Sequence, residues 1–123
     1  MAIDPRGADL KRLVTEDDGG PVVMLNLLRF AEGGQDSYAE YMRRFAETFA
    51  ARYGAELLYA GTGSTVLVAE PGQAWDMVLL VRYPDRAAFS AMVADPEYQS
   101  IAHLRSDALT EAVLQATVPI IVG

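Results

Sequence analysis

The chain has 123 residues, 51% of them apolar and 22% charged, which suits one domain with one hydrophobic core and is too short for two of ordinary size. Seventeen acidic residues against ten basic ones give a net charge of −7, the wrong sign for tracking a phosphate backbone, so nucleic acid is not expected as a partner. The absence of cysteine removes disulfides, thiolate nucleophiles, thiolate-bound zinc and iron–sulfur clusters.

No apolar run approaches the ~20 residues that cross a bilayer. Residues 1–20 also lack the apolar centre of an export signal, so a cytoplasmic protein with no membrane span is expected. Those residues are read as an N-terminal extension, and 21–123 as the domain proper. In the extension, two breaker clusters, Asp4-Pro5-Arg6-Gly7 and Asp17-Asp18-Gly19-Gly20-Pro21, flank Leu10, Leu13 and Val14 at i, i+3, i+4, which predicts a helix of one or two turns. The acidic run Glu16-Asp17-Asp18 reads as a solvated turn, because neighbours in sequence do not converge on a cation.

Val22 to Leu28 is apolar at every position but Asn26, as in a strand covered on both faces. Ser37-Tyr38-Ala39-Glu40 has the form of a capping box, so a long helix is expected to start at Ser37 and to stop at Gly54. Tyr38, Tyr41, Met42, Phe45, Phe49 and Tyr53 form its apolar face, while Glu40, Arg43, Arg44 and Glu47 pair outside. Glu56–Ala60 and Thr65–Ala69 flank Gly61-Thr62-Gly63-Ser64, which predicts one kinked strand or a small hairpin. The glycines lack the further glycine and following helix of a phosphate loop.

Trp75 to Tyr83 is a further strand, with Met77, Leu79, Val81 and Tyr83 on one face and Val78, Leu80 and Arg82 on the other. Pro84-Asp85 opens a short helix, and Asp95-Pro96 stops it and caps another that presents Tyr98, Ile101, Ala102, Arg105 and Leu109. Glu111 to Val122 closes the chain as a strand.

A β-α-β-β-α-β order in one short domain predicts an α+β, ferredoxin-like antiparallel sheet with helices on one face. The first and third strands, central in that topology, are apolar on both faces, and helices cover only one. A second copy of the chain packed sheet to sheet covers the other, so a homodimer is expected.

The segments Pro21 to Phe30, Tyr53-Gly54-Ala55-Glu56, Trp75-Asp76, Val81-Arg82-Tyr83-Pro84, Asp95-Pro96-Glu97-Tyr98-Gln99 and His103-Leu104-Arg105 resemble the domain of unknown function 1330 family of the dimeric α+β barrel superfamily. The resemblance spans roughly residues 20–118, and the Pro96 to Gln99 stretch is its most specific part. It implies a ferredoxin-like protomer and a dimer whose sheets form a barrel. It implies no agreed activity, since relatives in the superfamily include cofactor-free monooxygenases, lactone isomerases and haem-binding enzymes.

Six residues are candidates for a site. Asn26 is an amide in an apolar strand, which either lines a pocket or bonds a neighbouring bulge or loop. Arg82 is the odd residue of the third strand; it pairs with a carboxylate such as Asp76 or Glu56, or it shares a face with Asn26 and meets a ligand's carboxylate. His103, the only histidine, is either a solvent-side residue or a proton-transfer group oriented by Asp107. Arg105, near the apolar stripe, pairs with a carboxylate of the sheet or binds an anion. Tyr41 and Tyr98 are candidate pocket walls.

Together these predict a cleft between sheet and helices that binds a small aromatic or carboxylated molecule. If the protein is an enzyme, proton-transfer or oxygen chemistry of the monooxygenase or isomerase kind is expected there without a metal or organic cofactor; haem binding is a third reading to test. The alternative is a non-catalytic dimeric module in which the polar exceptions are structural.

Overall fold

Two runs of Val, Leu and Met form the middle of the protein. In the computed structural model, which describes residues 3–120, they are strands β1 (Val22–Phe30) and β3 (Met77–Tyr83), paired antiparallel. β2 (Glu56–Thr62) pairs with β3 on one edge and β4 (Leu109–Thr117) with β1 on the other, giving the order β2-β3-β1-β4. The helices are α1 (Gly7–Thr15), α2 (Gly34–Arg44), α3 (Ala50–Tyr53), α4 (Arg86–Ala94), α5 (Pro96–Gln99) and α6 (Ala102–Ser106), with a π-helical turn, Phe45–Phe49, joining α2 to α3. This is the α+β split β-α-β arrangement expected from the sequence.

The pleat assigns each strand residue a face. Val22, Met24 and Leu28 of β1 and Leu79, Val81 and Tyr83 of β3 are buried with the helix aromatics. The other parity places Val23 opposite Arg82, Leu25 opposite Leu80 and Leu27 opposite Val78, on a face that no helix covers. Extension helix α1 adds Leu10 and Leu13 to the core.

Several boundaries depart from expectation. The long helix starts at Gly34, three residues before Ser37, and Ser37 makes no capping box: its Oγ donates to the Leu104 carbonyl at 2.7 Å. Glycine is what permits this, since a Cβ on Gly34 would lie 2.2 Å from the Ala108 carbonyl oxygen. At the other end Gly54 takes a left-handed φ of 70° and stops the helix as expected.

Thr65–Ala69 is not a strand. The Gly63 amide donates to the Asp76 carbonyl at 2.9 Å, and the segment beyond it finds no sheet neighbour, leaving Leu67 and Val68 89% and 96% exposed. The last predicted helix is two short ones, broken around Ser100 and Ile101, and Leu109 belongs to β4. β4 ends at Thr117; the predicted end of that strand, 121–122, lies outside the described residues. The caps at Asp85 and Asp95 form as read, accepting from the amides of Ala88 at 2.7 Å and Glu97 at 2.9 Å. Among the described residues no helix is long and apolar enough to cross a membrane.

Candidate ligand-binding cavity

Between the helix-facing side of the sheet and the helices lies a cavity of about 220 Å³. β1 and β3 supply its floor with Met24, Asn26, Leu79 and Val81, and Tyr38, Tyr41, Phe45, Tyr98 and Arg105 close it from the helices. The floor alternation explains Asn26: its cross-strand partners are Leu79 and Leu114, so the amide enters an apolar layer, where it is only 9% exposed. Its Nδ2 donates to the Met24 carbonyl at a long 3.3 Å, and its Oδ1 makes no hydrogen bond among the described residues, which leaves acceptor capacity at the cavity floor.

Four phenols ring the cavity. Tyr41 and Tyr98 share a hydrogen bond of 2.7 Å between their oxygens; whichever donates, the acceptor's own proton stays uncommitted. Burial pushes the Tyr38 phenol up to about 12. It also raises Tyr41, Tyr83 and Tyr98, with the nearby Arg105 charge acting in the opposite direction at all four. Near neutral pH these groups are protonated, so they offer hydrogen bonds and apolar surface and do not act as bases.

Arg105 is the cation of the wall and is 6% exposed. Its partner is not the sheet carboxylate that was one expectation. Nη1 donates to the Ile3 carbonyl at 2.7 Å and to Asp4 Oδ1 at 3.2 Å, from the extension, and Ser106 Oγ donates to both Asp4 oxygens at 2.9 Å. Nη2 is buried with no partner among the described residues.

The structure thus brings Asn26, Tyr41, Tyr98 and Arg105 to one cavity and leaves two candidates out. Arg82 does not share Asn26's face: Asn26 pairs with Leu79 and Arg82 with Val23, an odd offset that sends the guanidinium to the opposite side of the sheet. Glu56 stands across from it, and no ion pair of Arg82 exists among the described residues. His103 is exposed on α6, outside the cavity wall, so the cavity offers no histidine to a haem iron. Asp4 was missed as a wall residue; its only sequence signal was membership of a breaker cluster. The two aspartates at 17 and 18 accept from the amides of Gly19 and Gly20 in tight turns.

Strand order, antiparallel pairing and helices on one face define a ferredoxin-like α+β protein. The chain belongs to the family Domain of unknown function (DUF1330), whose model matches residues 30–117; Asn26 and Asp4 lie outside that match. Over nearly its whole length the chain is similar to RPA0582, a protein of unknown function from Rhodopseudomonas palustris, with 28% identity, a TM-score of 0.87 and 97% of each chain covered. A dimeric ferredoxin-like protein of unknown function from Jannaschia sp. is 17% identical, with a TM-score of 0.60 over 81% of this chain and 100% of that one. A proposed antibiotic biosynthesis monooxygenase from Bacteroides thetaiotaomicron is 23% identical, with a TM-score of 0.58 over 85% and 93%. At these last two identities the likeness is one of fold. No match was found among curated proteins.

Proposed function

We propose that the protein is a homodimer that binds a small aromatic or carboxylated molecule in the cavity between sheet and helices of each protomer. The observation that carries this reading is a largely apolar wall interrupted by a few polar groups with spare hydrogen-bonding capacity, Asn26 Oδ1 and one proton of the Tyr41–Tyr98 pair, with Arg105 Nη2 buried and without a partner among the described residues. An apolar cavity of ~150 Å³ is large enough for benzene, so about 220 Å³ suits one substituted ring.

Binding is favoured over catalysis by what the wall holds. The matching family is one of unknown function, the imidazole lies outside, and the phenols are protonated. Asp4, at the mouth, is the sole carboxylate among the wall residues, which leaves no base deep in the cavity for proton transfer.

Thermal denaturation with a panel of benzoates and phenylacetates tests the reading. At a hundred times Kd a ligand stabilises by about 2.7 kcal/mol, on the order of 10 °C for a domain of this size. The shift is expected to shrink in Asn26→Ala and to persist in Arg82→Ala, which alters the opposite face. Absence of any shift at millimolar ligand, with the wild-type fold intact, overturns it.

A further inference from the structure

The cavity and a neighbouring groove share a short piece of chain as wall. A groove of about 580 Å³ runs between α1 and β4, lined in part by Leu10, Arg12, Leu13, Arg86 and Gln115. Asp4 and Pro5 belong to both its wall and the wall of the inner cavity, as do Met24, Phe89 and Leu114. Ile3–Pro5 thus stands between the groove and the cavity, and lifting it joins the two.

What holds the partition is mostly polar. Arg105 Nη1 bonds the Ile3 carbonyl and Asp4, and Ser106 bonds Asp4. Asp4 remains 57% exposed at its side chain, against 7% for Arg105. A buried guanidinium has five N–H donors suited to a two-oxygen anion, yet Asp4 reaches only Nη1, and Nη2 has no partner among the described residues. Leaving a donor of a buried cation unmet costs free energy, so the native arrangement under-uses its only wall cation. Nη2 is thus a donor that Asp4 does not engage and that an anion brought against Arg105 would meet.

We propose that Arg105 is the carboxylate anchor of the cavity, that Asp4 stands in for the ligand's carboxylate when the site is empty, and that a small ring-bearing monocarboxylate enters by displacing the Ile3–Pro5 strap. This rests on the cavity reading above and adds the charge of the ligand, its orientation and its route. The carboxylate sits on Arg105 near the mouth, and the ring lies inward against Met24, Leu79 and Val81, over Asn26.

Benzoate and its neutral counterpart benzyl alcohol separate the two levels by calorimetric titration. Wild type is expected to prefer benzoate. Asp4→Ala and Asp4→Asn remove the competitor and are expected to tighten benzoate about threefold to fivefold, the scale of a half-exposed ion pair, while moving benzyl alcohol less. Asp4 is half exposed, so neither change empties the core. Arg105→Gln is expected to abolish the preference, and benzoate to raise amide exchange over residues 3–8 of the wild type. If both probes bind equally and the Asp4 variants leave their ratio unchanged, the anchor and strap are wrong while the cavity reading stands. If neither probe binds wild type or Asp4→Ala, both fall.

Discussion

Two phenol oxygens 2.7 Å apart in an apolar wall satisfy each other in a way neither satisfies alone. Tyr41 and Tyr98 come from elements 57 residues apart in sequence, so their bond also ties α2 to α5. Replacing one by Phe leaves the other hydroxyl buried without its partner, at about 1–2 kcal/mol. Replacing both removes the polar pair together and costs less than the two single changes summed. A double-mutant cycle of Tyr41→Phe and Tyr98→Phe, read by urea denaturation, is expected to show a coupling of about 1 kcal/mol or more; strictly additive losses count against a shared bond. Tyr41 was legible as a wall candidate from its place on the long helix, and Tyr98 from its place in the family-like segment. Their contact was not, because spacing on one helix carries no information about which residue of another helix it meets.

Among the elements, those whose limits depend on local chemistry were readable and those that depend on a distant neighbour were not. Asp85, Asp95 with Pro96, and Gly54 act on amides and carbonyls within a turn of themselves, and all three signals held. Ser37 carried an equally good local signal, but its hydroxyl donates to Leu104 and the helix begins at Gly34. What decides the matter is the approach of the chain before β4: Ala108, wholly buried, presses its carbonyl where a side chain on residue 34 would be. Gly34→Ala is therefore expected to act through this close approach. Inside a helix alanine normally gains up to about 1 kcal/mol over glycine. Here a Cβ placed 2.2 Å from a backbone oxygen reverses the sign, and a loss of about 3 kcal/mol or more is expected in chemical denaturation. A neutral or stabilising result removes the explanation for the early helix start. Thr65–Ala69 teaches the same lesson from the strand side: β-branched residues mark a segment able to pair, and only a partner makes it a strand.

At the scale of the whole molecule, the apolar excess seen in composition has a location. The helix-covered face of the sheet holds the core, and Leu25, Leu27, Val78 and Leu80 form an apolar centre on the other face, with exposed Tyr59 on the edge strand and Leu67 and Val68 bare on the neighbouring loop. Arg29 braces that loop: its guanidinium donates to the carbonyls of Ala74 and Gly72 at 2.6 and 2.7 Å and lies 4.7 Å from the centre of the Trp75 ring. The loop is thus held in place with its apolar side chains outward. The alternation that made both faces of β1 and β3 apolar, and that groups Arg82 with Val78 and Leu80, was legible in the sequence; that Asn26 lies on the opposite face from Arg82 was not, because it turns on the register between strands. A second copy joined through this face predicts a solution mass twice the 13.4 kDa of the chain at micromolar concentration. In a two-fold interface each substitution counts twice. Leu27→Glu, on a central strand, forfeits about 2 kcal/mol of apolar burial per copy and adds a carboxylate to each. That is at least ~4 kcal/mol, or roughly a thousandfold in the dimer dissociation constant. Light scattering is expected to show that variant as a monomer or as aggregate, with its helix-side cavity unchanged in sequence. A wild-type mass near that of one chain overturns the dimer, and an undisturbed dimer in Leu27→Glu moves the interface away from this face.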